Sequence, residues 1–318
     1  MSDDIVLLTN PIHPDGEKIL QGHARLIVAP DTQPDTLRRL AQDATGIIVR
    51  AQMPEDIADH APRLRGMVRH GVGLDFIPVA RATERGIVVA NLPGSNTDSV
   101  AEFVIAALLN LRRPHARFDS ALRAEGWDKA RAAAGSNSEV RRSVLGVVGV
   151  GAIGSRVAQI AGNGFGMRVL GASRRSAMPE GVEEATLDRL FAEADAVVLS
   201  CALTDETRGL VDAQRLALMK PGAVLINVSR GPVVDTSALV AALKEGRLAG
   251  AALDVHQTHP LSPDDDVFSC PNLLLSPHVA AITATSMRAM SVGAAEEMRR
   301  ILSGESPVNF VNPEIRGA

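Results

Sequence analysis

Short apolar runs rich in β-branched residues recur along the chain, separated by polar segments compatible with helix. In the first third they fall at Ile5–Leu8, Leu26–Val28, Ile47–Arg50, Met67–His70 and Ile87–Asn91, with Thr36–Asp43 and Pro78–Arg85 among the intervening helical stretches. Runs that stay apolar instead of alternating belong to strands covered on both faces, and strand–helix alternation predicts a parallel sheet. A second series begins at Val144–Gly149 and continues through Arg168–Ala172, Ala196–Ser200, Ala223–Val228, Gly250–Leu253 and Leu273–Ser276, predicting a second doubly wound sheet. Between the two series lies Val100–Leu111, apolar but broken by Glu102 and Asn110. It is shorter than the ~20 residues of a membrane span and reads as a buried helix. Ser99-Val100-Ala101-Glu102 has the form of a capping box at its start, and Pro114 helps to end it. Phe118–Arg142 is a polar stretch bearing Gly and Ala, Thr283–Leu302 is a last long helix, and Asn309–Ala318 reads as a tail. No repeat of solenoid length is present.

A length of 318 residues suits about two domains. With 46% hydrophobic and 22% charged residues, the composition excludes a disordered chain, a fibre and a disulfide scaffold. The formal net charge of −4 lacks the basic excess of a nucleic-acid binder. Only Cys201 and Cys270 are present, which suits free thiols in a reducing compartment. The acidic start, Ser2-Asp3-Asp4, lacks the positive region of a secretory signal, so a cytoplasmic location is expected.

Gly149-Val150-Gly151-Ala152-Ile153-Gly154 follows a strand and opens a helix. In that context Gly149 permits a tight turn, Gly151 lets backbone amides approach a pyrophosphate and Gly154 brings helix and strand together. An NAD site normally places Asp or Glu ~20 residues further on, where it holds the ribose hydroxyls. Here the second strand ends in Ser173-Arg174-Arg175. A hydroxyl and two guanidinium groups suit a 2′-phosphate, so NADP is expected with NAD possible; the bland alternative is a solvated turn.

Gly71-Val72-Gly73-Leu74-Asp75, Asn96-Thr97-Asp98-Ser99-Val100-Ala101-Glu102, the glycine motif, Asn227-Val228-Ser229-Arg230-Gly231, Ala251-Ala252-Leu253-Asp254-Val255 and Ser276-Pro277-His278-Val279 occur in this order along nearly the whole chain. In motifs and spacing the chain resembles the D-2-hydroxyacid dehydrogenases, including glyoxylate/hydroxypyruvate reductases and phosphoglycerate dehydrogenases. The resemblance implies a Rossmann cofactor domain (99–284) inserted in a flavodoxin-like substrate domain (1–98 and 285–318), with the active site in the cleft between them. It implies Arg230 as the substrate arginine and His278 as the acid/base. A planar guanidinium can grip a carboxylate bidentately, and an imidazole passes protons near neutral pH. It further implies that amides of Val72 and Gly73 hold the carboxylate as an anion nest. Arg50 and Gln52 fall in the side-chain pocket, where Arg50 suits an anionic tail. Ala152, Ile153, Thr204 and Asp254 complete the cofactor contacts, and a turn-stabilising role for Asp254 remains the alternative.

The chain departs from the family pattern at His259, where a Glu that hydrogen-bonds the catalytic histidine is usual. A neutral imidazole can accept a hydrogen bond from His278 but cannot stabilise an imidazolium as a carboxylate does. Ser200, Ala202 and Ala281 also replace residues common in the family. His256, His259 and His278 are spaced too loosely for a metal site, and none is expected. The expected activity is NAD(P)-dependent hydride transfer between nicotinamide and a small 2-oxo or D-2-hydroxy acid such as glyoxylate or hydroxypyruvate. The alternative is a dinucleotide-sensing protein resembling the C-terminal-binding-protein corepressors. A homodimer is implied by the resemblance, with Val100–Leu111 and Phe118–Ala134 as candidate contacts and Trp127 as either a core or an interface anchor. No nucleic acid or membrane partner is expected.

Overall fold

A computed structural model describes residues 3–174 and 178–317. The chain divides into two compact units, Met1–Asn96 with Ala281–Ala318, and Thr97–Ala280. The first unit opens with β1 (Ile5–Leu8), α1 (Pro14–Leu20), β2 (Arg25–Val28), α2 (Pro34–Ala41), β3 (Gly46–Val49), β4 (Gly66–Arg69), α3 (Val79–Glu84) and β5 (Val88–Ala90). The second unit comprises α4 (Thr97–Arg112), α5 (His115–Glu125), α6 (Trp127–Ala132), β6 (Val144–Val148), α7 (Ala152–Phe165), β7 (Arg168–Ala172), β8 (Val182–Glu184) and α8 (Leu187–Glu193). It continues with β9 (Ala196–Leu199), α9 (Ala213–Leu218), β10 (Val224–Asn227), α10 (Thr236–Lys244), β11 (Gly250–Leu253) and β12 (Leu273–Leu275). The chain then re-enters the first unit as α11 (Ala284–Leu302).

Both sheets are parallel throughout, as the uniformly apolar runs predict. The first has the order β2-β1-β3-β4-β5, a flavodoxin-like winding, and the second the order β12-β11-β10-β9-β6-β7-β8, a Rossmann winding extended by one strand. Successive strand residues point to opposite faces, so each short run feeds two cores. In the first unit Leu7, Ile47, Val49, Met67 and Val89 pack with Leu37 and Ala82, while Val6, Leu8, Ile48 and Val68 pack with Met290, Ala294, Met298 and Ile301 of α11. A Cβ at Gly46 would collide with Met298 and one at Gly66 with Ile301, so the bare backbone lets α11 lie flush on the sheet. In the second unit Leu170, Val197, Leu199 and Leu225 pack with Phe191, Leu216 and Leu239; Leu145, Val147, Val198 and Ile226 pack with Val104, Leu108, Val157 and Ala161.

Two local expectations need correction. Helix α4 already begins at Thr97, so Ser99 lies inside its first turn rather than ahead of it as a cap. The capping box belongs to α11, where the Thr283 hydroxyl accepts from the Ser286 amide and the Ser286 hydroxyl accepts from the Thr283 amide. The stretch from Asn309 is no loose tail. Phe310 bridges Ala90, and the buried Asn312 side chain accepts from the Val89 amide and donates to the Ile87 carbonyl and the Thr83 hydroxyl. Its amide thus satisfies the open edge of β5, which no further strand covers.

Candidate active site

The glycine motif lies where the second sheet reverses its winding, at the end of β6. Gly149 has φ +90, and a Cβ there would sit 2.5 Å from the backbone of Cys201. A Cβ on Gly154 would strike the Gly149 carbonyl oxygen, so neither glycine can be replaced without shifting backbone. Gly151 differs: a Cβ would meet nothing within 4 Å, and as N-cap of α7 it gives no side-chain cap to the helix amides. Two packed glycines thus support a third that faces open space, leaving the first amides of α7, from Ala152 and Ile153 onward, for an anion. The arrangement fits the pyrophosphate of a dinucleotide.

At the end of β7, Ser173 is half-buried and Arg174 exposed; Arg175 lies outside the described residues. The Arg174 guanidinium is not presented to a phosphate alone. It donates to a Glu206 carboxylate oxygen at 3.1 Å, and the Thr204 hydroxyl donates to the same oxygen at 2.7 Å. The Thr204 hydrogen bond foremost, with the Arg174 charge behind it, holds the Glu206 carboxyl below its ordinary range. A carboxylate from a loop after β9 thus pairs with the residue at the strand end, a long-range pairing that no local motif announces.

At the ends of β10, β11 and β12 the chain gathers Arg230, His259 and His278. Buried Asn227 folds the first turn: its side-chain oxygen accepts from the Ser229 amide and hydroxyl, and its amide donates to the Arg230 carbonyl. Arg230 is half-buried and donates to the Ser229 carbonyl at 2.7 Å. A Cβ at Gly231 would overlap the backbone of His256, so this glycine lets the two loops cross in contact. Asp254, 2% exposed, braces the loop of His278: its carboxylate accepts from the Ser276 hydroxyl and the amides of Val279 and Ala280, while its carbonyl accepts from the His278 amide. Asp254 thus stabilises the turn that carries His278. His278 is held at φ +56, in the left-handed region that Arg142 and Asn272 also adopt.

Three imidazoles form a row. The His259 ring lies 6.0 Å from that of His278, tilted by 36°, and 6.1 Å from that of His256. The His256 Nε2 meets the Ser276 carbonyl at 2.9 Å, which makes this nitrogen a donor and fixes the tautomer. Among the described residues no group of three or more His, Cys, Asp or Glu could hold a metal ion.

In the first unit the Gly71-Val72-Gly73 loop follows β4. Gly71 has φ +144. The Leu92 amide donates to the Gly71 carbonyl and the Asn91 side-chain amide to the Val72 carbonyl, both at 2.8 Å. A trans peptide sets its N–H opposite its C=O, so these two bonds turn the amides of Val72 and Gly73 away from the end of β5. Arg69 adds a second brace, donating to the carbonyls of Gly73 and Val49 while its guanidinium lies 4.5 Å over the Phe76 ring. Neither Asn91 nor Arg69 belongs to a pattern that sequence reading isolates. The Arg50 guanidinium is half-buried, its proton affinity lowered by burial, and it donates to the Pro11 carbonyl; Gln52 donates to the carbonyls of Met53 and Asp75. Beneath the loop, burial and then the Arg50 charge push the His70 imidazole down to about 4. Its Nε2 donates to Ser291, whose own hydrogen goes to the Met287 carbonyl.

Residues 105–280 match the family description "D-isomer specific 2-hydroxyacid dehydrogenase, NAD binding domain". A glyoxylate reductase of Aeropyrum pernix is 37% identical over 98% of this chain and 96% of its own. A D-3-phosphoglycerate dehydrogenase of Methanocaldococcus jannaschii is 34% identical over 96% of this chain and 59% of its own. Among solved structures, an NADPH-dependent glyoxylate/hydroxypyruvate reductase of Sinorhizobium meliloti, in complex with NADP and malonate, superposes with a TM-score of 0.86 at 30% identity, covering 98% of each chain. The chain belongs to the D-isomer specific 2-hydroxyacid dehydrogenases, enzymes that pass a hydride between a nicotinamide cofactor and a small 2-oxo or D-2-hydroxy acid.

Proposed function

We propose that the protein reduces short 2-oxo acids, glyoxylate and hydroxypyruvate foremost, with NADPH preferred over NADH. The observation that carries this reading is the constrained His278, held in left-handed backbone by Asp254 beside His259. This backbone and the Asp254 hydrogen bonds fix where the imidazole is presented. Full-length similarity to glyoxylate reductases supports the substrate class and favours a catalyst over a dinucleotide sensor without turnover.

The amides of Val72 and Gly73 bind the substrate carboxylate, and Arg230 polarises the 2-oxo oxygen. His278 delivers a proton to that oxygen as it becomes a hydroxyl, with the His259 ring beside it. A nicotinamide cofactor held there would supply the hydride. Gly149, Gly151 and Gly154 shape the pyrophosphate turn, while Ser173 and Arg174 meet the ribose 2′-phosphate. Arg50 and Gln52 border the substrate side chain and favour one with a polar or anionic end.

We also take α5 and α6 as the contact of a homodimer. No residue of α5 is buried, Leu122 is 45% and Trp127 67% exposed, and these apolar groups suit a second copy of the chain. Two free cysteines suit a cytoplasmic site of action, and among the described residues no helix is long and apolar enough to cross a membrane.

The test is oxidation of NADPH and of NADH with a panel of glyoxylate, hydroxypyruvate, pyruvate and oxaloacetate. Turnover at about 1 to 1,000 per second on the short acids is expected. Absence of turnover on all of them, with cofactor bound, overturns the reading.

A further inference from the structure

We propose that Glu206 is a specificity-determining residue for the cofactor: it competes with the ribose 2′-phosphate for Arg174, and so keeps a site without a strand-end acid open to dinucleotides both with and without that phosphate. The inference rests on the reading of Ser173 and Arg174 as the 2′-phosphate end of the cofactor site, and deepens it.

At Ser173, where an NAD enzyme usually carries its acid, this chain has a hydroxyl, and the next residue is a cation. Taken alone, that pair makes a site for NADPH. Glu206 changes the balance, because its carboxylate already lies 3.1 Å from the guanidinium and is held there by Thr204 at 2.7 Å. Thr204 is itself fixed: its amide donates to the Thr207 hydroxyl, which donates to the Ala202 carbonyl, and its own carbonyl accepts from the Arg208 amide. Glu206 is thus carried on a hydrogen-bonded loop.

The Arg174 and Glu206 side chains are 69% and 70% exposed, so water screens their pairing and a 2′-phosphate with up to two charges can break it. Breaking it does not remove the carboxylate. Thr204 keeps Glu206 close to the arriving phosphate, and the two like charges repel. A dinucleotide with a free 2′-hydroxyl meets no such repulsion, and the intact pair offers a carboxylate of the kind that accepts a ribose hydroxyl. The outcome is a preference for NADPH smaller than Ser173 and Arg174 would give by themselves.

The test compares wild type with Glu206→Gln, which keeps shape and removes charge at an exposed position. Calorimetry with adenosine 2′,5′-bisphosphate and with 5′-AMP reads the binding directly, and the NADPH/NADH ratio of kcat/KM on a 2-oxo acid reads it in turnover. In Glu206→Gln the bisphosphate is expected to bind about three- to tenfold more tightly at low salt, with 5′-AMP unchanged or slightly weaker, and the turnover ratio rises by a similar factor. High salt shrinks the gain. Thr204→Val, which frees the carboxylate from its holder, gives a smaller change in the same direction. Bisphosphate affinity unchanged in Glu206→Gln, or equal tightening of both nucleotides, overturns the role of Glu206 and leaves the cofactor site standing. Failure of both nucleotides to bind wild type overturns the cofactor site and this inference with it, whereas binding of the bisphosphate alone overturns the inference and leaves the site.

Discussion

Two loops at the ends of parallel strands present backbone amides, one in each unit, and they are built in opposite ways. The turn after β6 is held by packing: Gly149 lies against Cys201, Gly154 against the Gly149 carbonyl, and a 14-residue helix follows. The loop after β4 has no helix directly behind it and is held by hydrogen bonds from Asn91, Leu92 and Arg69 to its carbonyls. A helix N-terminus brings its own positive potential, so glycines that let it approach are enough. Without one, each peptide must be turned individually. The first design therefore resists substitution by a methyl group, and the second resists loss of a donor.

The comparison is sharpened first by pH. His70 lies under the side-chain-braced loop and has no counterpart under the glycine turn. Its folded-state value of about 4 is below the ordinary 6.5, so the unfolded chain takes up a proton that the folded chain refuses as pH falls from 6.5 to 4. Stability from this group is complete above 6.5 and declines by roughly 3 kcal/mol across that window. Urea melts of wild type and His70→Asn at both ends of the window check it; an equal slope in the variant sinks the assignment.

Next in size, His278→Gln separates binding from reaction. In the proposed mechanism both loops bind and neither donates a proton, so kcat is expected to fall by about 100-fold while the cofactor Kd holds. A variant that keeps most of its kcat shows that the proton comes from elsewhere.

The packing design is challenged by Gly154→Ala against Gly151→Ala. The former forces a methyl group onto the Gly149 carbonyl and costs about 1–3 kcal/mol of stability together with cofactor affinity; the latter enters open space and leaves the thermal midpoint nearly unchanged. Equal midpoints would erase the distinction between the two glycines.

The smallest effect belongs to Asn91→Ala. Loss of one donor lets the Val72–Gly73 peptide rotate, raising KM for the oxo acid about tenfold with kcat and the cofactor KM little changed. Asn91→Asp, which can donate only when protonated, should recover part of that loss at acidic pH. A uniform drop in kcat for both variants would indicate general disruption in place of positioning.

The same contrast explains what the sequence discloses. Apolar runs buried on both faces predict β1, β7 and β11 to the residue, because burial on both sides demands such runs. β8 escapes that reading because Val182-Glu183-Glu184 forms a solvent-facing edge with little to bury. The glycine motif is legible because packing concentrates its requirements in six consecutive residues. Asn91, Arg69 and the pairing of Glu206 with Arg174 are dispersed along the chain, and only folding brings each to its partner. Ser99 misleads through local chemistry: its spacing to Glu102 satisfies a capping rule, but α4 begins two residues earlier at Thr97.

The contribution of α11 to the first sheet also sets an order of events during synthesis. Val6, Leu8, Ile48 and Val68 leave the ribosome early, yet the helix that covers them, with Met298 against Gly46 and Ile301 against Gly66, emerges only after every residue of the second unit. Domains usually fold in the order they are made. In this chain the unit begun first is finished last, so its strands carry one bare apolar face through most of translation, and the intervening unit can complete its own core while they wait.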